Sequence, residues 1–194
     1  MPKGYKVLLP FFFLACSTRT TSMPIMNLHP LLCYSQHPVE SNHCCAILWD
    51  LREAPVSIPH VSSLDHFLPD AELTQHATSP PVTIFHVSCG FFPEEWSIEV
   101  RNPQGVTVLD VLKAIHSALQ PQIHQHEWER LCKKHQDRVA AVFDARWRVS
   151  AEPEESRTHG VLRIDCLLHH TWFGGLSVSL EDENSCILSL RRPR

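Results

Sequence analysis

The sequence predicts an α+β fold, in which a mainly antiparallel sheet packs against two consecutive helices and follows a long proline-rich N-terminal half. Three observations carry this. Of the 15 prolines, 12 lie before residue 104, and proline resists helix because it fixes its own φ and pushes its predecessor toward extended backbone. Apolar residues recur at helical intervals only after residue 107, in two successive stretches. Short apolar or alternating runs of strand type lie on both sides of those stretches, a segregation typical of α+β domains.

In chain order, residues 28–39 form an ordering strap ahead of Ala46-Ile47-Leu48-Trp49-Asp50-Leu51, a short strand. Residues 52–80 carry Pro55, Pro59, Pro69 and Pro80, a stretch long enough to require short strands or turns of its own. Residues 81–89 are a strand, and Trp96-Ser97-Ile98-Glu99-Val100-Arg101 alternates strictly before the turn Asn102-Pro103-Gln104-Gly105. Thr107-x-x-Asp110 has capping-box spacing, weakened because Asp is shorter than Glu or Gln. Val108, Val111, Leu112, Ile115 and Leu119 then form one helical face that Pro121 ends.

A second helix is expected over 125–146, with Trp128, Leu131, Cys132, His135, Val139, Val142 and Phe143 on its stripe. Glu127, Glu129, Arg130, Lys133, Lys134, Asp137 and Arg138 make its charged face. Residues 150–159 are a solvated loop and 161–167 a strand. Trp172-Phe173-Gly174-Gly175-Leu176 turns into a strand over 177–180, and 186–190 adds an edge strand. The organisation is therefore an extension over 1–27, one α+β domain over 28–190 and a basic tail over 191–194.

Composition excludes several functions. The chain has 194 residues, 6 glycines and a formal net charge of −4. Its glycines spell neither G-x-G-x-x-G nor the P-loop, so both glycine-rich phosphate cradles are missing. A slightly acidic chain has no general attraction to nucleic acid or an anionic membrane. Near the N-terminus, Lys3 and Lys6 precede a ten-residue apolar run, Val7 to Cys16. That is too short for a bilayer span, which takes about 20 residues. It fits a secretory h-region with Ala15-Cys16-Ser17 as the cleavage site; a start at Met23 or Met26, making the run a wrongly included extension, is the alternative. The eight cysteines contain no C-x-x-C, and several occupy apolar positions. They are expected to be mostly free thiols in an intracellular, reducing setting.

Candidate chemistry is sparse. His124, His126, Cys132 and His135 form the densest ligand cluster, but on one helix His124 and His126 point about 200° apart, so no metal site is expected. His169-His170 face opposite sides if they lie on a strand. No G-x-S-x-G or H-E-x-x-H occurs. More informative are three aspartates in apolar settings, Asp50, Asp110 and Asp165, because a buried carboxylate must pair, cap or shift its pKa. Arg52 and Arg163, two residues from Asp50 and Asp165, are their nearest candidate partners in sequence. Either the three converge as an acid/base pocket, or they serve separately as strand-end hydrogen bonds, a helix cap and ion pairs.

The order and spacing of several segments resemble a known family. They are Leu28-His29-Pro30-Leu31-Leu32, Trp49-Asp50-Leu51-Arg52 with Pro55, Ala77-Thr78-Ser79-Pro80-Pro81, and Trp96-x-Ile98-x-Val100. Val106-Thr107-Val108-x-Asp110-Val111-Leu112, Arg163-x-Asp165-x-Leu167 and Phe173-x-Gly175-Leu176 continue the pattern. It is similar to a fungal domain of unknown function, number 6699, abundant in mushroom-forming basidiomycetes, over about residues 28–180. The resemblance implies a small α+β domain and carries over no catalytic residue, cofactor or partner. The expectation from all of this is a non-enzymatic module that binds a protein partner or small ligand, with no cofactor, metal, nucleic acid or membrane. An enzyme using an Asp/His pocket and a small secreted protein are the rivals. The candidate pocket residues are Trp49, Asp50, Asp110, Arg163, Asp165 and Phe173.

Overall fold

The computed structural model describes residues 26–35, 45–56, 58–60, 63–180, 182 and 184–193. The N-terminal apolar run, Cys16, Cys44 and the end of the 28–39 strap lie outside them.

The fold is α+β. Four strands form the main sheet: β5 (Ile84–Ser88), β6 (Ile98–Arg101), β7 (Trp172–Val178) and β8 (Ser185–Arg191), in the order β6-β5-β8-β7. The β5–β6 and β7–β8 pairs are antiparallel, whereas β5 and β8 run parallel. The strand expected at the sheet edge, 186–190, is therefore an interior one. The true edge on that side, β7, lies beside the proline-rich half. Two small antiparallel pairs sit in that half: β1 (Asn27–Leu28) with β4 (Thr78–Ser79), and β2 (Pro59–His60) with β3 (Ser63–Phe67). A single turn of helix, α1 (Asp70–Leu73), lies between them.

Strand alternation buries one face of the sheet. Phe85, Val87, Ile98, Val100, Cys186 and Leu188 are buried, whereas Ser88, Glu99 and Arg101 are exposed. Helix α2 (Val108–Leu119) lays Val108, Val111, Leu112, Ile115 and Leu119 into the same core. Its N-terminus closes as spelled, despite the shorter acid: the Asp110 amide donates to Thr107 Oγ1 at 3.2 Å and the Thr107 amide to Asp110 Oδ2 at 3.0 Å.

The expected strand over 46–51 is extended backbone without a ladder. Cys45, Ile47, Trp49 and Leu51 are buried in alternation, but its pairing is piecemeal: the Leu48 amide donates to Pro59 O, and Asp50 forms a bridge with Trp172. On either side of it the Leu51 amide donates to Thr171 O and the Phe173 amide to Trp49 O. The described part of the strap covers the other end of β7, where the Leu176 amide donates to Leu32 O and Tyr34 donates to Leu176 O. The expected turn at 172–176 is instead the first part of β7, and its irregularity is a bulge between Phe173 and Gly175.

The second half departs most from expectation. The helix expected over 125–146 is two helices, α3 (Gln125–Arg130) and α4 (Lys133–Val149). Leu131 and Cys132 between them have extended backbone, and the Cys132 carbonyl accepts from the Gln136 amide to open α4. The loop expected over 150–159 contains α5 (Pro153–Thr158), started by proline at its first turn and with no buried residue. The strand expected over 161–167 is a 3₁₀ helix, Arg163–Leu167, in which four consecutive residues, Ile164 to Leu167, are buried. A short apolar run does not distinguish these states by period. Here Asp165 decides: its Oδ2 accepts from the Leu162 amide at 2.9 Å and curls the segment.

Candidate functional site

The six candidate residues do not share one cleft. Trp49 and Phe173 are core residues with ring centroids 5.8 Å apart, and Phe173 is fully buried. Asp110 belongs to the α2 cap and also accepts from Asn102 Nδ2 at 2.8 Å. Burial works against its charge, but the Asn102 and Thr107 donors outweigh that and hold its carboxyl below the usual range. Asp50 is paired by its neighbour Arg52, Nη2 to Oδ2 at 2.5 Å.

Asp165 is not the partner of Arg163. Arg146, on α4, takes it instead, with Nε to Oδ1 at 2.8 Å and Nη2 to Oδ2 at 2.9 Å. The same guanidinium donates to Gly160 O and Ser156 Oγ, joining α4, α5 and the 3₁₀ segment. Arg163 pairs with Glu127 at 3.3 Å and lies over the Trp96 ring, 4.8 Å from its centroid. Glu127, expected on a solvated face, is buried; it accepts from the Trp96 indole and from the His124 amide at 2.5 Å. The sequence signal for it was available: His124 to Glu127 has the N-cap to N3 spacing at which a Glu side chain reaches back to the cap amide.

Beside these pairings lies a groove of about 510 Å³ whose lining is largely apolar and also carries charge. One wall is the face of α4 bearing Arg138, Ala141, Val142, Ala145, Arg146 and Val149. They recur at intervals of three and four residues, 138/141/145/149 and 138/142/146/149, so they line one side of the helix. The other wall is Ile164, Asp165, Leu168, His169 and Thr171, with Arg52 at its rim. Two alanines keep the α4 wall low, and Val149 is 85 % exposed, high for an apolar side chain. The stripe expected for this helix named Val142 but neither alanine nor Val149. A second cavity, of about 290 Å³, is bordered by Phe91, Phe92, Trp96, Leu131 and Cys166.

The remaining candidate groups stay apart. The His124 and His126 rings stack at 5.6 Å rather than diverging, because His124 precedes α3 instead of lying within it. No group of three or more His, Cys, Asp or Glu among the described residues has metal-binding geometry. His169 is exposed at the groove, while His170 packs against Phe91 at 4.9 Å and accepts from Arg192 Nε. The cysteines that are buried are poor nucleophiles. Burial first, then the Asp165 and Glu127 charges, pushes the Cys166 thiol up to about 12. Burial likewise takes Cys186 to about 12 and Cys45 to about 11. Among the described residues no helix is long and apolar enough to cross a membrane.

The model of a family of unknown function, DUF6699, matches residues 47–185. The chain belongs to that family. The matched stretch includes β5, β6 and β7 of the main sheet, all the helices and both walls of the groove, stops at the first residue of β8, and leaves out the Leu28-to-Leu32 segment. No curated protein and no solved structure matches the chain.

Proposed function

We propose that this domain is a non-enzymatic binding module whose ligand site is the groove between α4 and residues 164–171. The observation that carries the reading is a walled, largely apolar concavity of about 510 Å³, within the roughly 300–1,000 Å³ usual for small-molecule sites. The state of the carboxylates supports the non-enzymatic part. A general acid or base must reach a proton on substrate, whereas Asp110 caps a helix and Asp165 is taken up by Arg146 and the Leu162 amide. Asp50 is engaged twice by Arg52, through side chain and backbone.

A fragment library screened by NMR against the methyl-labelled full chain tests this. Hits should move the methyls of Ala141, Ala145 and Val149, and Ala145→Trp should abolish those shifts. A library that leaves the groove untouched would overturn the reading. So would turnover in a broad hydrolase or transferase screen that Asp50→Asn removes at unchanged stability.

A further inference from the structure

We infer that the groove selects a singly charged amphipathic anion, a carboxylate on a linear apolar tail, with Arg138 receiving the head. This rests on the binding reading above and specifies its ligand.

Charge is the first argument. Three arginines, Arg52, Arg138 and Arg146, line the groove against one carboxylate, Asp165, on a chain whose net charge is −4. Two of the three are already compensated, Arg52 by Asp50 and Arg146 by Asp165. Arg138 has no ion-pair partner among the described residues. A guanidinium binds a carboxylate through two parallel N–H donors. One uncompensated cation matches one negative charge, whereas a dianionic head would call for a second.

Shape is the second argument. Arg138 and Val149 sit at the two ends of the same α4 face, roughly 16 Å apart at the helical rise. Ala141 and Ala145 lie between them, and Leu168 and Ile164 stand opposite. A head at Arg138 therefore sends its tail along the alanines to Val149, covering the apolar surface that the fold leaves exposed. Walls on both sides favour a thin tail over the broad face of an acidic protein helix.

Titration of the methyl-labelled full chain with decanoate, decylamine and acetate at neutral pH tests the inference. Decanoate should bind saturably and move the Ala141, Ala145 and Val149 methyls, with decylamine weaker by about tenfold or more, the value of one charge-assisted contact. Acetate, lacking the tail, should not saturate. Arg138→Gln should weaken decanoate at an unchanged thermal midpoint, because Arg138 is exposed, and Arg138→Glu should invert the preference toward decylamine. Equal binding of the two amphiphiles, or decanoate binding indifferent to Arg138→Glu, would overturn it. If neutral fragments enter the groove while decanoate does not, the anion inference falls and the binding module stands. If nothing enters the groove, both fall.

Discussion

Arg146 holds Asp165 by both carboxylate oxygens, at 2.8 and 2.9 Å, and Asp165 is only 1 % exposed. The pair fixes one groove wall to the other. It also leaves the buried charge fully used, since Asp165 takes the Leu162 amide as a third donor. Removing one member of such a pair strands the other in a poorly solvated place, which costs about 3–5 kcal/mol. Arg146→Met should lose about that much in urea denaturation. A loss below about 1 kcal/mol would place the pair among solvated ones.

Arg52, at the rim of the same groove, makes the opposite case with Asp50. Their side chains are 14 % and 57 % exposed, so water already solvates the arginine. Arg52→Ala should cost no more than about 1 kcal/mol, the usual ceiling for an exposed pair. Asp50→Ala should cost more than Arg52→Ala, because Asp50 Oδ1 also accepts the Arg52 amide at 3.0 Å. The two melts measured side by side decide it; equal losses would mean that the backbone bond contributes nothing.

Thiol reactivity should divide the cysteines by burial. Cys132 is exposed, whereas Cys45, Cys166 and Cys186 are buried with their thiols pushed to about 11 or 12. At neutral pH a maleimide pulse on the native chain, mapped by peptide mass, should mark Cys132 and spare those three until denaturant is added. Native labelling of Cys166 at the rate of Cys132 would contradict the packing around it.

Periodicity made much of the fold legible, and its failures share a cause. The α2 face, the β6 alternation and the capping box depend on neighbours within four residues, so they show in the sequence. Residues 161–167 do not, because so short an apolar run has no period that separates strand from 3₁₀ helix, and the Asp165 carboxylate that curls it is held in the core by Arg146, 19 residues away. The division of the 125–146 helix at Leu131 is local, yet neither proline nor glycine marks it. At the candidate site, adjacency in sequence supplied the right partner for Asp50 and the wrong one for Asp165. The groove depends on two alanines that an apolar stripe would not single out. Composition did mark one position: among only 6 glycines, Gly174-Gly175 stand together, where the strap meets β7.

Gly175 has φ +107, and a Cβ there would lie 2.7 Å from the Tyr34 backbone. Both the dihedral and the passage of the strap therefore demand glycine. Gly175→Ala should destabilise by about 1–3 kcal/mol, the range for a strained backbone position. Gly90→Ala is the control: nothing lies within 4 Å of a Cβ there, so it should stay within about 0.5 kcal/mol. Matching thermal melts for the two variants would refute the close approach.

Acid should selectively weaken the contacts around Glu127. Burial opposes its charge, but the His124 amide, the Trp96 indole and the Arg163 guanidinium together outweigh that and hold its carboxyl below the usual range. A folded value below the unfolded one means that the unfolded chain binds the proton more readily. The stabilisation is therefore complete above the unfolded value, about 4.3, and is lost as pH falls through the folded value. Asp110 is depressed in the same direction, so the wild-type melt alone would mix the two groups. The difference in melting temperature between wild type and Glu127→Gln isolates one of them. It should be constant at neutral pH and shrink steadily below the ordinary glutamate range, as the wild-type carboxyl takes up the proton that the amide never needed. A difference that stays constant down to the acid-unfolding limit would mean that Glu127 carries no charge-dependent share of the stability.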